Sequence, residues 1–336
     1  MSCGYDKTVR RRGETARTVV KGRRYGFPRR IFLTFVLDVF VFTSLAAQSE
    51  GSVLGSLPGS TRSAGMGGAG VALIGDAGAL FANPAAIAAI HHLALEGSFE
   101  PYVAGTTYSA GAVAVRAGRL AWGFGAQVLD YGSEPVIVPD SSTGGRRGIP
   151  TGAMFTASDI LATSVVVYRR GLMAAGVAVK YARDQIGGWS ADTWGGDVGV
   201  ALAVFDIFAL GVAVQNLGGD FGPAGNGARL PRRTRAGFTM NYVDPQGTYR
   251  LLTTIEGQWP ADGPAQLASG VETGIVTGGV GLVGRLGFVT RSPTSAASRW
   301  SLGGGVELRH MHLDYAYQSL ALLGGGTHRV GIRWAP

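Results

Sequence analysis

At 336 residues, 46% hydrophobic and only 15% charged, the chain is long enough for one large domain or two and is apolar for a soluble protein. Its 55 glycines follow no collagen period, which leaves low complexity or a β structure with small side chains on crowded faces. The net charge of +8 does not point to nucleic acid: residues 1–47 carry ten Lys or Arg against three acids, and the remainder holds 20 basic and 19 acidic residues.

Residues 1–47 have the layout of an export signal that is removed. A cationic region ends at Arg30, an apolar run follows from Ile31, and small residues suit cleavage near Ala46 or Ala47. Asp38 interrupts the run, and the long cationic part leaves room for a start near Val19 or Val20. The single cysteine, Cys3, falls in this segment, so the mature chain is expected to have no disulfide and no thiolate nucleophile.

Residues 48–91 come next. Gly65, Gly67 and Gly70 spell the glycine spacing of a dinucleotide site, but no strand feeds the first glycine and no carboxylate lies between Ala77 and Leu95. A pyrophosphate site needs both. The plain alternative is a backbone that packs closely against something else. Asp76 offers an N-cap to an alanine-rich helical run that Pro84 would interrupt.

After Ala47 no run of eighteen apolar residues occurs, which excludes a helical membrane span. The period is two. Leu120, Trp122, Phe124, Ala126 and Val128 share one face against Ala121, Gly123, Gly125 and Gln127. Phe208, Leu210, Val212 and Val214 oppose Ala209, Gly211, Ala213 and Gln215, and Trp300, Leu302, Val306 and Leu308 oppose Ser301, Gly303, Gly305, Glu307 and Arg309. Such alternation fits a soluble sheet on a core or a barrel facing lipid.

Length and turns favour the barrel. About fourteen segments of roughly ten residues match the 9–11 of a tilted transmembrane strand, against 5–6 for soluble strands. Turns after even strands are short, near Gly118, Arg170, Asp206, Pro245, Gly278 and His310. Most turns after odd strands read as long: Gly132–Phe155, Asp184–Asp192, Gly218–Pro231 and Arg291–Ser298. The expected fold is therefore all-β: a transmembrane antiparallel β-barrel of about fourteen strands over 92–336, monomeric, in the cell outer membrane and in contact with its lipids. Residues 48–91 would form a short helical N-terminal plug segment, with Gly65, Met66, Gly67, Gly68, Asp76, Asn83 and Pro84 inside the lumen. A periplasmic tail is the alternative.

Carrying the alternation through places Lys180, Arg233, Arg235, Glu256, Arg285, Glu307, Arg309, Asp314, Arg329 and Arg333 in the lumen. They read as an ion-pair network across strands, Asp314 with Arg329 or Arg333 for instance, or as a substrate path. Trp122, Tyr168, Tyr181, Tyr242, Trp259, Trp300 and Trp334 fall near strand ends, as headgroup-level aromatics do. His91, His92, His310 and His312 come with no metal motif, no Cys ligand and no nucleophile elbow, so no metal, cofactor or enzymatic activity is expected.

Gly65–Ala69, Ala72, Asp76, Ala79, Leu80, Asn83, Pro84 and Ala85 match a GMGGA…A…D…AL…NPA signature. VQNLGG (Val214–Gly219) with LPRRTRAG (Leu230–Gly237), and LDYAYQ (Leu313–Gln318) with THR (Thr327–Arg329), follow in order. As a set these residues resemble the PorV/PorQ-type outer-membrane proteins, within the wider FadL-like transporter superfamily. The resemblance implies a fourteen-strand barrel with an N-terminal plug. For function it implies binding or shuttling of secretion-machinery or exported protein partners in type IX-like secretion, or, as the alternative, a channel for a hydrophobic ligand. Ala86, where the family often has glycine, and the Ala335–Pro336 end depart from the pattern.

Overall fold

The computed structural model describes residues 52–102, 105–205, 207–221, 228–290, 298–320 and 325–336, so the export signal expected over 1–47 lies outside the described residues. Fourteen antiparallel strands close into one barrel. They are β1 Leu93–Pro101, β2 Thr107–Ala117, β3 Leu120–Pro139, β4 Gly148–Arg170, β5 Met173–Ile186, β6 Trp189–Val204 and β7 Phe208–Gly218, then β8 Arg233–Val243, β9 Tyr249–Pro260, β10 Gln266–Thr277, β11 Val280–Val289, β12 Trp300–Leu308, β13 Met311–Leu320 and β14 Gly325–Trp334. Each strand pairs with its sequence neighbours, and β14 closes the ring on β1 from Leu95↔Trp334 to Phe99↔Val330. No described helix is long and apolar enough to cross a membrane, and the closed ladder satisfies its backbone groups without one.

The alternation sets the two faces. Trp122, Phe124, Leu210, Leu282, Leu286 and Leu302 point outward and are exposed, whereas Ala121, Ala209, Ala213, Val283 and Ser301 point inward and are buried. Trp122, Tyr168, Tyr242 and Trp334 stand exposed at one end of the wall, and Trp259 and Trp300 at the other. Tyr181 instead sits mid-strand on β5, its ring 5.1 Å from that of Trp194.

Tight turns gather at one end. Gly118, Gly171 and Gly278 have φ of 61°, 62° and 59°, as two-residue hairpins demand. Arg309, expected in the lumen, belongs here instead: β12 ends at Leu308, and Arg309 is an exposed turn residue at φ 54°. The alternation cannot see that a strand has stopped. Arg309→Gly should therefore stabilise the folded barrel by about 1 kcal/mol, read from the rise in its urea midpoint, because glycine holds that conformation without strain. No lumen ion pair should change.

At the other end two expected loops are strand. β3 and β4 continue as a hairpin beyond Asp130↔Ser158, after a register shift, to Pro139↔Gly148. There β3 has lost β2, whose pairing ends at Thr107↔Asp130, and β4 pairs β5 only from Ala157↔Ile186. The hairpin is thus two strands wide, exposed on both faces, with only residues 140–147 as loop. β5 and β6 pair up to Ile186↔Trp189, which leaves Gly187–Gly188 as the turn. Turn-forming residues mark a reversal but say little about how far pairing extends on either side of it.

Candidate functional site: the plugged lumen

Residues 52–92 thread the lumen lengthwise. Ser56 O accepts from Arg233 Nη1 at the long-loop end of β8, while Ile90 O accepts from Arg116 Nη1 where β2 meets its tight turn. Between them lie only short turns: Val53–Ser56, Thr61–Ala64, Ala77–Phe81 and Pro84–Ala89. Asp76 precedes the third of these but makes no capping bond there. Asn83 is the cap, its Oδ1 accepting from Ala85 N at 3.0 Å, and Pro84 starts a turn at its favoured first position rather than interrupting one.

The glycines of the wall explain how so much backbone fits. A Cβ built on Gly211 would lie 2.0 Å from Val71 O, one on Gly287 2.0 Å from Gly67 N, one on Gly270 2.4 Å from Met66 Cβ, and one on Gly199 2.1 Å from Asn83 Oδ1. Inward-facing glycines on β6, β7, β10 and β11 thus form a groove that the plug backbone fills. The plug answers with Gly65 against Gly303, with Gly67 at φ 70° against the Phe288 backbone, and with Gly68 at φ 78°.

The plug's two sides differ in chemistry. Against β2–β6, Leu80, Phe81, Ile87 and Ile90 pack on Tyr108, Ala112, Ala121, Leu161, Val165 and Ala178 in one apolar cluster. Against the other wall the contacts are ionic. Arg62 meets Asp76 at 2.7 Å and Glu272 at 2.8 Å, Glu272 meets Arg285 at 2.7 Å, and Arg285 meets Asp314 at 2.6 Å. Asp314 meets Arg333 at 2.5 Å, and Arg333 returns to Asp76 at 2.7 Å. Three arginines and three carboxylates therefore alternate in a closed ring, two members from the plug and four from β10, β11, β13 and β14. Arg250 extends it to Glu307 at 2.5 Å.

Three further stations hold the remaining charges. Glu256 accepts from Gly70 N at 2.7 Å and Val71 N at 2.8 Å while paired with Arg235 at 2.5 Å. Arg235 also donates to Gly68 O at 2.8 Å, and Arg233 donates to Gln215 Oε1 at 2.9 Å. Lys180 pairs with Asp197 at 2.8 Å, and its ammonium donates to Asn216 Oδ1 at 2.8 Å. Arg329 pairs with Glu100 and donates to Pro58 O, so it does not reach Asp314.

The alternation thus picks much of the basic half of the network and omits Glu96, Glu100, Asp197, Arg250 and Glu272. Glu96, Glu100, Asp197 and Glu272 share an inward face with Ala or Gly, and Arg250 shares one with Leu252, Thr254 and Glu256, a signal present in the sequence. Arg62, on the irregular plug, has no periodic signal at all. Among the described residues, no group of three or more His, Cys, Asp or Glu is placed to hold a metal ion.

Burial pushes the Asp76 carboxyl up, but Arg333 and Arg62 outweigh it and hold it well below its ordinary value of 3.8. Burial likewise pulls Arg62 down, and Glu272 and Asp76 outweigh that. A depressed carboxyl stabilises the fold in full above its unfolded value and loses that contribution as pH falls toward its folded value. The stability gap between wild type and Asp76→Asn should therefore stay constant from about pH 8 to 5 and close only below about pH 4. Urea titrations at each pH measure it.

Solved structures share this architecture. The toluene transporter TodX of Pseudomonas putida matches at a TM-score of 0.56 and 12% identity, over 87% of this chain and 99% of its own. The chain has the FadL-like barrel fold. The toluene transporter TbuX of Ralstonia pickettii matches at 0.52 and 14%, over 87% and 100%, and a FadL homologue of Pseudomonas aeruginosa at 0.52 and 12%, over 82% and 98%. No protein-family model matches the chain, and neither does any curated protein.

Proposed function

We propose that this chain is an exported outer-membrane barrel that passes uncharged hydrophobic small molecules across that membrane, with residues 48–91 as its closure. The observation that carries the reading is the likeness of the barrel fold, over 87% of the chain, to proteins described as toluene transporters. Two features of the lumen support it. The ring balances three arginines with three carboxylates, so it offers no surplus charge to an ionic guest. The opposite side of the plug rests on side-chain contacts that an apolar guest can replace without stranding a polar group.

The PorV-type role in protein secretion has no such support. Gly65, Gly67 and Asn83, among the residues that suggest it, pack the plug against the wall. We propose no catalysis, no cofactor and no secretion partner.

Mass spectrometry of the protein gently extracted from its native membrane tests the reading. Retained apolar small molecules, together with faster toluene uptake by cells that make the protein, are the expected result. Recovery of a secretion channel or exported cargo, with unchanged toluene uptake, would overturn it.

A further inference from the structure

Glu96 stands outside the ion ring. It points inward from β1 and is buried, its Oε2 accepts from Gly78 N of the plug at 2.8 Å, and among the described residues it makes no ion pair. Its Oε1 is buried without a hydrogen-bond partner, although Ser60 lies nearby. A buried carboxylate oxygen in that state is costly and calls for a reason. Across the seam that closes the barrel, Glu96 lies directly opposite Arg333 of β14. Opposed residues on paired strands hold their Cβ atoms about 4.5–5.5 Å apart, well within the reach of an arginine and a glutamate. Arg333 is already engaged: its Nε holds Asp314 at 2.5 Å and its Nη1 holds Asp76 of the plug at 2.7 Å. Resting on the reading of residues 48–91 as a closure, we propose that Glu96 is a second acceptor for Arg333, held in reserve while the plug is seated and paired when the plug leaves.

When plug and wall part, the ring is cut at Arg62–Glu272 and at Arg333–Asp76. Arg62 and Asp76 hold each other at 2.7 Å, so they can leave together as a neutral pair. On the wall, Glu272 keeps Arg285 at 2.7 Å, and Asp314 keeps both Arg285 and Arg333. At Arg333 and Glu96 the losses are one donor, Nη1, and one acceptor, the oxygen that Gly78 N had satisfied. The two residues face each other. Asp76, which precedes Gly78 by two residues and repels Glu96 while seated, departs in the same step. Without Glu96, the withdrawn plug would leave Arg333 with a single carboxylate that it shares with Arg285, and a buried guanidinium short of a partner is strongly unfavourable. Glu96 therefore lowers the cost of opening, while it gives the closed state one contact to the plug backbone.

Trypsin digestion of the folded full chain in lipid nanodiscs tests the assignment, because the rate of cleavage after Arg62 follows the population whose plug is out of its seat. The Gly211→Ala background, whose Cβ would lie 2.0 Å from Val71 O, raises that rate into a measurable range. In this background Glu96→Gln keeps the shape and an acceptor for Gly78 N but offers Arg333 no charge. It should slow cleavage by about tenfold, the effect of a charge-assisted bond lost from the open state alone. Glu96→Asp keeps the charge opposite Arg333 and gives up Gly78, so it should be cut at the background rate or faster. A glutamate that only seats Gly78 predicts no slowing in either variant. The heat-dependent gel shift of a folded barrel checks both. Unchanged or faster cleavage in Glu96→Gln, equal slowing in the two variants, loss of the folded band in Glu96→Gln, or no cleavage at all in the background overturns the assignment. Toluene uptake by cells is read separately. Uptake with cleavage that ignores Glu96→Gln defeats this inference and leaves the transport reading standing, and slowed cleavage without uptake does the reverse.

Discussion

Glu272→Gln should lower the stability of the folded barrel by about 3–5 kcal/mol and let the plug loosen. Glu272 is fully buried on β10 and is shared by Arg285 at 2.7 Å, Arg62 at 2.8 Å and Arg250 at 3.5 Å. Removing its charge leaves Arg62, Arg285 and Arg250 with one carboxylate each, Asp76, Asp314 and Glu307, and so one surplus positive charge around a buried neutral amide. Most of the loss should come from that surplus charge rather than from the bonds themselves. The double variant Arg62→Gln/Glu272→Gln should therefore recover part of it, which a double-mutant cycle on urea midpoints measures. In planar bilayers the single variant should show brief openings against a closed wild type. An unchanged midpoint with a closed trace would mean that the ring does not hold the plug.

Gly211→Ala should displace the plug while leaving the wall intact. The new Cβ would lie 2.0 Å from Val71 O, 2.6 Å from Val71 C and 3.0 Å from Ala72 N. All three are backbone atoms, so no side chain can swing aside and the segment itself must move. Overpacking of this kind costs about 1–3 kcal/mol. Limited trypsin digestion of the folded protein should now cut after Arg62, which is largely buried in the wild type. Gly284→Ala is the control: it faces outward from β11, and the nearest atom to its Cβ would be Thr273 Cγ2 at 3.8 Å. Equal protease resistance in both variants would count against the tight seating of the plug.

Much of the barrel was legible in the residues. A lipid-facing wall needs large apolar side chains on every second position, and a filled lumen needs small or polar ones between them, so β3 and β7 announce their two faces directly. The same rule placed Lys180, Arg235, Glu256, Arg285, Asp314, Arg329 and Arg333 on the inner face, where they are buried. It failed at Arg309, because alternation carries no mark of the residue where a strand ends. It also failed at the β3–β4 hairpin, where turn-forming residues hid continued pairing.

What the sequence determined by itself was the part that depends on local period: the strands, their faces and their number. The pairing of Asp314 with Arg333 and Arg285, and of Arg329 with Glu100, was decided only in three dimensions. So was the use of Gly67, Gly211 and Gly287 as contact points. These contacts join residues far apart in the chain, such as Arg62 and Glu272, 210 positions distant. Charge and small size are visible in a sequence, but which charge meets which depends on how the plug threads the closed barrel, and no periodicity encodes that path.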